Sequence, residues 1–412
     1  MAARRAVRHG RRAHHDAHRV EDAGDLPPRP QRRRRDRPVT TSVERLLVSG
    51  DGEAWAQCHA STVARTGGRT LVAWFAGTRE GTPDNAIWLA AEEDGVWGEP
   101  QVVLGEDDDV AWWNPVLAVA PDGRLWLFAH RGERISRWVT WCCTSTDHGR
   151  TWTAPRELVP GDTSGGRGPV KNPPVVTPRG AWLAPSSVES GGADPAWGAR
   201  FDRSEDAGAS WALADVPIDR SRLRGAGVIQ PALWSGRSGL VAVCRSSEGL
   251  VYRTTSADDG RTWTAAAATR LPNNNSGLTA VRLPGGRVAL VHNPVGEEWG
   301  ARCPLSVSVS DDDGLTWHRV LDLEDGTEAP ATLPGVPVPA LQEGGPPSGF
   351  AAGDTGIVTD GRGEYSYPSA TVEGETLLVA YTWQRRGIVL ARVPLRLVDR
   401  PVAAAAGRVG SS

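Results

Sequence analysis

The sequence predicts an all-β protein, a six-bladed β-propeller preceded by a disordered basic extension. The main observation is a hairpin motif, Ser-x-Asp-x-Gly-x-Ser/Thr-Trp, which begins at Ser145, Ser204, Ser256 and Ser310. The copies start 59, 52 and 54 residues apart, near the roughly 40 to 50 residues of a four-stranded blade. The 48 Gly and 31 Pro among 412 residues agree with this prediction, because many short strands need many tight turns.

The remaining blades follow from weaker signals. A shortened copy of the motif, Glu93-Asp-Gly-Val-Trp97, ends 55 residues before Trp152 of the first full copy. After the last copy, apolar runs at 376–381 and 387–392 predict a sixth blade. A strand within residues 41–70 is expected to join that blade and close the ring, which removes exposed sheet edges. Apolar strands are also predicted at 125–129, 240–244 and 288–292.

Each part of the repeated motif has a mechanical role. The Ser and Asp side chains are expected to bond nearby backbone amides, the Gly to supply a positive φ, and the Trp to fold back under the hairpin. The motif aspartates are therefore predicted to stabilise turns and are not candidates for catalysis.

Charge is distributed unevenly along the chain. Residues 1–40 hold 12 Arg against 5 acidic residues, whereas the whole chain has a net charge of -3. Such a head could touch nucleic acid or an anionic surface, but a solvated, disordered extension is the expected state. It lacks the apolar core of a secretory signal, which indicates an extension or a mis-assigned start. The propeller is assigned to residues 41–400 and a disordered tail to 401–412.

The apolar runs and the cysteines limit the classes of protein and the location that fit this sequence. No apolar run is long enough for a membrane helix. The five cysteines are odd in number and lack metal-ligand spacing, which favours buried thiols in a reducing compartment and hence a cytoplasmic location. Neither a metal nor another cofactor is predicted, and no nucleic-acid or membrane partner.

The repeated motif is the Asp box, or BNR repeat, and over residues 45–397 the sequence resembles the sialidase (neuraminidase) superfamily. Further segments resemble the bacterial and plant BNR sialidase-like proteins: Trp74-Phe-Ala-Gly-Thr-Arg-Glu-Gly-Thr-Pro-Asp84, Gly168-Pro-Val-Lys-Asn-Pro173, Ile229-Gln-Pro-Ala232, Leu271-Pro-Asn-Asn-Asn-Ser-Gly277 and Glu364-Tyr-Ser-Tyr-Pro368. The resemblance implies an anionic oligosaccharide or glycan as the partner.

Sialidases hold the substrate carboxylate with three arginines, use an Asp as general acid/base, and attack with a Tyr whose partner is a Glu. By resemblance, Arg245 and Arg302 match the second and third arginines, and an arginine fork suits a carboxylate. Asp84 matches the acid/base, provided that burial raises its pKa, although an Asx turn explains it equally well. Tyr365 matches the nucleophile, and Tyr367 competes for that role.

Two positions depart from the family pattern. His59 stands where the first arginine is expected, and Gln230 stands where the glutamate partner of the tyrosine is expected. A neutral amide cannot accept the phenolic proton as a carboxylate would. The substrate-binding set is completed by Lys171, the only lysine of the chain, and by Asn172 and Asn275.

Three functions are compatible with these residues. The first is an exo-acting glycoside hydrolase that removes a terminal anionic sugar of the sialic or uronic acid type. The second is a polysaccharide lyase, in which His59 or a tyrosine abstracts the proton next to a uronate carboxylate. The third is a glycan-binding propeller without turnover. In each case the site residues are expected to meet at one end of the central channel.

Overall fold

A computed structural model describes residues 42–50, 55–106, 109–191, 195–336 and 361–399. The segments 1–40 and 401–412, predicted to be disordered, lie outside the described residues. The strands of the first half are β1 (Glu44–Ser49), β2 (Gln57–Thr66), β3 (Arg69–Gly77), β4 (Ala86–Glu93), β5 (Val96–Trp97), β6 (Gln101–Leu104), β7 (Trp112–Val119), β8 (Leu125–Arg131), β9 (Val139–Ser145), β10 (Arg156–Glu157), β11 (Val175–Val176), β12 (Trp182–Glu189), β13 (Trp197–Ser204) and β14 (Ala212–Asp215).

The second half continues the series. Its strands are β15 (Val228–Gly236), β16 (Gly239–Ser246), β17 (Leu250–Ser256), β18 (Ala267–Pro272), β19 (Thr279–Arg282), β20 (Val288–His292), β21 (Leu305–Ser310), β22 (His318–Glu324), β23 (Ala331–Thr332), β24 (Tyr365–Glu373), β25 (Thr376–Trp383) and β26 (Gly387–Pro394). Short helical turns are the 3-10 helices Ile135–Arg137 and Arg220–Arg222 and the helix α1 (Leu395–Val398).

These strands form six sheets, antiparallel except for the parallel pairing of β1 with β23. They are the six blades of a β-propeller, so the predicted fold class is confirmed. Blade one contains β2 to β6, blade two β7 to β10, blade three β11 to β14, blade four β15 to β18 and blade five β19 to β22. Blade six contains β24 to β26 together with β1 and β23. Each apolar segment predicted as a strand lies within an observed strand.

The ring is closed by the N-terminal strand, as expected. β1 pairs antiparallel with β26 and lies between β26 and β23 in the sheet of blade six. Arg45 on β1 donates from Nη1 to Glu324 Oε2 at 2.6 Å, and Tyr381 of blade six donates to the same carboxylate. This buried contact joins blades five and six next to the closing strand.

The hydrophobic core lies between neighbouring blades. In β3, Leu71, Ala73 and Phe75 face blade two, whereas Val72 and Trp74 face blade six. Successive strand residues point to opposite faces of a sheet, and here both faces are covered. This explains why the strands are continuous apolar runs rather than alternating patterns.

The Asp boxes fold as predicted. In the third full copy, Ser256 Oγ accepts from Gly260 N at 2.9 Å, and Asp258 Oδ1 accepts from Ser256 Oγ and from Thr262 N. Asp259 and Gly260 have φ of 64° and 82°. The other three full copies repeat these bonds, and the shortened copy repeats the two positive φ values at Asp94 and Gly95.

Every Asp box also joins its blade to the one before. A Cβ at Gly260 would lie 2.2 Å from Leu183 of blade three, and the ring of Trp263 stacks on Phe201 of that blade at 4.0 Å. The boxes follow the third strands of the blades, so they lie at the end of the ring away from the ends of the second strands.

The innermost strands of blades one, two, four and six each contain a bulge. Their pairing shifts register in β2, β7, β15 and β24. A residue with positive φ lies inside each bulge: Ala60 (55°), Asn114 (39°), Gln230 (54°) and Tyr367 (52°). Non-glycine residues rarely adopt this conformation, and where they do the surrounding structure holds them for a reason.

Candidate active site

Tyr367 lies at the centre of the residues that converge on the axis. Its phenolic oxygen accepts a hydrogen bond from Arg245 Nη1 at 2.8 Å and a longer one from Gln230 Nε2 at 3.4 Å. The guanidinium of Arg302 lies 5.6 Å and that of Arg245 5.9 Å from the centre of its ring. Two predicted carboxylate ligands therefore face the same tyrosine, from blades four and five.

Arg245 is held in place by neutral groups. Its Nε donates to Asn275 Oδ1 at 3.0 Å, and its Nη1 donates to Gln230 Oε1 at 3.2 Å. Asn275, which has a φ of 58°, lies just before the first strand of blade five. Arg245 forms no ion pair with any residue in the described part of the chain, so its charge is available to a ligand.

Arg302 belongs to a second group, which contains an arginine that sequence analysis missed. Arg302 Nη1 donates to Glu364 Oε1 at 2.9 Å, and Arg385 Nε donates to the same oxygen at 3.0 Å. Arg385 also pairs with Glu80. Burial by itself would raise the pKa of Glu364, but Arg385 and Arg302 hold that pKa below its usual range. This carboxylate therefore stays ionised and orients both arginines.

Lys171 reaches the centre from blade three. Its ammonium donates to the carbonyl of Pro368 and lies 6.0 Å from the centre of the Tyr367 ring. Burial, with a contribution from Arg245, lowers the pKa of Lys171 to about 7. A Cβ at Gly277 would lie 3.0 Å from Lys171 Cε and 3.2 Å from Tyr367 Cδ2, so a glycine is needed where these side chains meet.

Asn172 and His59 support the bulges. Asn172 Nδ2 donates to Pro231 O at 3.0 Å, next to Gln230. His59 Nδ1 lies 2.9 Å from Thr382 Oγ1, and its ring is 4.3 Å from that of Tyr367. Burial, followed by the surrounding arginines and Lys171, lowers the pKa of His59 well below its usual range. His59 is thus neutral and does not supply the positive charge expected at this position, whereas Arg385 is the charged group with the largest effect on its pKa.

Two predicted catalytic residues are not placed as expected. Tyr365 lies in the core between blades five and six, where its hydroxyl donates to Arg362 O at 3.0 Å. Residues two apart on a regular strand point to the same side. Because Tyr367 lies inside the bulge, it faces the axis and Tyr365 does not. Asp84 is exposed, and its Oδ2 accepts from Thr78 N and Oγ1, both at 2.7 Å. Partial burial by itself would raise the pKa of Asp84, but the hydrogen bonds from Thr82 and Thr78 together lower it below its usual value, the opposite of what an acid requires.

One sequence signal could have located more of the site. Three of the bulge residues are followed by proline, as Asn114-Pro115, Gln230-Pro231 and Tyr367-Pro368. In blade three, Asn172 is likewise followed by a proline, Pro173. No such proline follows Arg385, Glu364 or Glu80. These three residues lie on a hairpin and in loops rather than in bulges.

The site as a whole is cationic. Lys171, Arg245 and Arg302 lie around the Tyr367 ring, and Arg385 joins Arg302 through Glu364. Of these four, only Arg302 and Arg385 have carboxylate partners among the residues described. Such a surplus of buried positive charge suits an anionic ligand. In the described ranges no cluster of three or more His, Cys, Asp or Glu could hold a metal ion, and none of the helices there is long and apolar enough to cross a membrane.

The five cysteines are all buried, and within the described residues they form no disulfide. Burial raises the pKa of Cys142 to about 11 and that of Cys244 to about 12. They are therefore packing residues, and none of them belongs to the group around Tyr367.

Several known proteins share this fold. A protein of unknown function from Dyadobacter fermentans is 16% identical and superposes with a TM-score of 0.63, covering 87% of this chain and 100% of the other. NanB sialidase from Streptococcus pneumoniae is 12% identical, with a TM-score of 0.60 and coverage of 85% and 70%. A Trypanosoma rangeli sialidase mutant that displays trans-sialidase activity is 14% identical, with a TM-score of 0.59.

The chain covers only 58% of that trypanosomal protein, and 85% of its own length is aligned. No curated protein matches the chain. At these identities the similarity concerns the fold, which is the β-propeller of sialidases. The BNR repeat-like domain matches residues 68–379, more than half of the sequence. The chain therefore belongs to the BNR repeat-like domain family.

Proposed function

We propose that this protein is an exo-acting glycoside hydrolase that removes a terminal sugar bearing a carboxylate, of the sialic or uronic acid type, from a glycan. The observation that supports this most strongly is the group of cations around one tyrosine at the propeller axis. Lys171, Arg245 and Arg302 all lie within about 6 Å of the Tyr367 ring centre.

The cations account for recognition of the sugar acid. Arg245 and Lys171 are buried without a carboxylate partner among the described residues, which is unfavourable until a counter-charge arrives. A substrate carboxylate would supply that charge and accept paired hydrogen bonds from an arginine fork. Arg302 and Arg385 are already oriented by Glu364, so they need little rearrangement on binding.

The donors around Tyr367 account for the chemistry. Both Arg245 and Gln230 donate to its phenolic oxygen, and they would stabilise negative charge on that atom. After losing its proton to water, this oxygen attacks the anomeric carbon as the leaving group departs. Water then cleaves the sugar–tyrosine bond. In this proposal Gln230 replaces the expected glutamate as a donor to the phenolate, not as a base.

A lyase is the second candidate, and one observation favours it. His59 is neutral, lies 4.3 Å from the Tyr367 ring and is surrounded by cations. A neutral imidazole can abstract the proton next to a uronate carboxylate whose charge the arginines neutralise. This reaction would leave a carbon–carbon double bond in the product, whereas hydrolysis would not.

The test is to incubate the wild-type protein with 4-nitrophenyl α-sialoside, with 4-nitrophenyl glucuronide and with a uronate polysaccharide. The hydrolase proposal requires release of nitrophenol and of the free sugar acid. An increase in ultraviolet absorption of the polysaccharide without nitrophenol would favour the lyase. Tyr367→Phe should abolish the activity, whereas Tyr252→Phe on β17 is the matched control. Binding of the sugar acids without any product would contradict both reactions.

A further inference from the structure

We propose that Glu189 is the proton donor of this site, protonating the glycosidic oxygen of the leaving group and later accepting a proton from the attacking water. The inference rests on the hydrolase function proposed above. Glycosidases of this kind need a carboxylic acid to assist departure of the leaving group. Asp84 is exposed and already accepts two hydrogen bonds from Thr78, so the acid must come from elsewhere.

Strand geometry directs Glu189 towards the site. It is the last residue of β12 in blade three. Two positions earlier on the same strand, Ser187 Oγ accepts a hydrogen bond from Gln230 N at 2.7 Å. Residues two apart on a strand point to the same side, so Glu189 and Ser187 both face blade four. Gln230 in turn contacts the Tyr367 hydroxyl.

Aromatic rings line the same end of the strand. Glu189 pairs across the sheet with Trp197, whose ring meets Trp299 edge-on at 6.3 Å between centres. The guanidinium of Arg245 lies 5.9 Å from the centre of the Trp299 ring. These contacts connect the end of β12 through two aromatic rings to Arg245, which in turn contacts Tyr367.

The carboxyl of Glu189 is not engaged elsewhere. Glu80 pairs with Arg385, and Glu364 pairs with both Arg302 and Arg385. Glu189, by contrast, forms no hydrogen bond or ion pair with any residue in the described ranges. Burial raises the pKa of Glu189, and among the nearby charges Arg245 lowers it while Glu80 raises it. The net rise favours the protonated form that a donor needs.

Over the two steps the enzyme neither gains nor loses a proton. In the first, the bond between the anomeric carbon and the leaving oxygen breaks, the Tyr367 oxygen bonds to that carbon, and the Glu189 proton moves to the leaving oxygen. In the second, Glu189 as a carboxylate accepts a proton from water, and the resulting hydroxyl displaces Tyr367 from the sugar. Glu189 is then protonated again, and the Tyr367 phenolate is restored.

The experiment compares leaving groups that differ in their need for an acid. Wild type, Glu189→Gln, Asp84→Asn and the control Glu99→Gln, at an exposed position, are assayed on 4-nitrophenyl and on methyl glycosides of sialic and glucuronic acid. Nitrophenolate leaves without protonation, whereas methoxide does not. For Glu189→Gln, kcat/KM should fall on the order of 100-fold or more on the methyl glycoside and less than about 10-fold on the nitrophenyl glycoside.

The outcomes separate the two proposals. An equal loss on both glycosides, or no loss, would overturn the acid role of Glu189 while leaving the hydrolase intact. A loss in Asp84→Asn confined to the methyl glycoside would assign the role to Asp84 instead. If wild type cleaves none of the four glycosides, the hydrolase proposal fails, and the acid role fails with it. The wild-type pH profile gives a second readout, because its alkaline limb should disappear in Glu189→Gln.

Discussion

Arg245 donates a hydrogen bond of 2.8 Å to the phenolic oxygen of Tyr367, although the two residues are 122 positions apart in the sequence. The contact connects blade four to blade six across the propeller axis. It depends on the positive φ of Tyr367, which turns the phenol away from the sheet and into the channel. The following predictions test this arrangement and the scaffold that holds it.

The two neighbouring tyrosines should have separable roles. Tyr365→Phe leaves the carbonyl of Arg362 without its donor, so it should lower the free energy of unfolding by about 1 kcal/mol and leave activity of the folded protein unchanged. Tyr367→Phe should abolish turnover and change stability little. Denaturant unfolding and glycosidase assays on both variants give the comparison, and loss of activity in Tyr365→Phe alone would contradict it.

Arg245→Lys and Arg302→Lys should weaken binding of a sugar carboxylate. A lysine keeps the charge but loses the planar fork, so affinity should fall by about 10-fold or more. Titration calorimetry with N-acetylneuraminic acid and glucuronic acid measures the effect. Arg179→Lys is the matched control, because Arg179 is exposed on a turn. Equal affinities in all three variants would show that these arginines do not bind the ligand.

The Asp boxes should act on stability and not on chemistry. Asp258→Ala removes hydrogen bonds to Ser256 and Thr262, which should cost about 1 to 2 kcal/mol of unfolding free energy. The folded fraction should keep its ligand affinity, since the boxes lie at the other end of the ring. If activity disappeared while unfolding was unchanged, the box would have a catalytic role.

Two glycines with similar backbone conformations should differ in their tolerance of alanine. Gly260 and Gly180 have φ of 82° and 87°, but only at Gly260 does a Cβ approach a neighbour, Leu183 at 2.2 Å. Both Gly→Ala variants should pay the cost of positive φ, on the order of 1 kcal/mol. Gly260→Ala should lose more, because it also pushes blades three and four apart. Thermal unfolding of the pair isolates the packing contribution.

Lys171 should make stability depend on pH in the alkaline range. Its pKa falls from 10.5 in a free side chain to about 7 in the fold, so between these values the unfolded chain holds a proton that the folded protein does not. The free energy of unfolding of the wild type, relative to Lys171→Met, should therefore rise with pH from 7 to 10.5, by up to about 1.4 kcal/mol per pH unit. Below pH 7 the ammonium is charged in both states, so its destabilising effect on the fold is complete.

That comparison uses Lys171→Met because methionine fills similar space and does not titrate. Urea unfolding of both proteins at several pH values measures the difference, and other titrating groups cancel. A difference that does not change between pH 7 and 10 would mean that the ammonium is not buried as described. The same variant should bind sugar acids more weakly, because one cation is lost from the site.

Much of the fold could be predicted from the repeated motif. Ser-x-Asp-x-Gly-x-Thr-Trp specifies its hairpin through bonds among residues at most four apart, such as Ser256 to Gly260 and Asp258 to Thr262. Because these bonds are local, they can be recognised in the sequence without knowledge of the rest of the chain. Their spacing then indicates the blades, and the closing strand follows from the need to pair the last edge.

The composition of the site depended on more than local sequence. Arg245, Arg302, Lys171 and Gln230 were predicted, since each lies in a segment that resembles the family. Arg385 and Glu80 were missed, because a hairpin and a loop bring them together over 305 positions. For Asp84 the sequence left a buried acid and an Asx turn equally open. In the structure Asp84 is exposed and accepts hydrogen bonds from Thr78, because burial depends on the surrounding chain rather than on neighbouring residues.

Tyr365 and Tyr367 illustrate what could be predicted from the sequence and what could not. The sequence predicts that a tyrosine at the start of the sixth blade belongs with the arginines, because this segment resembles the family and holds two of the four tyrosines of the chain. Which of the two tyrosines it is depends on the fold. The bulge between Ser366 and Ser369 changes the expected alternation, and Tyr367 contacts cations from three other blades. The Tyr367-Pro368 pair marks the bulge, but the cations that contact Tyr367 come from segments far away in the sequence, so the segment alone does not identify them.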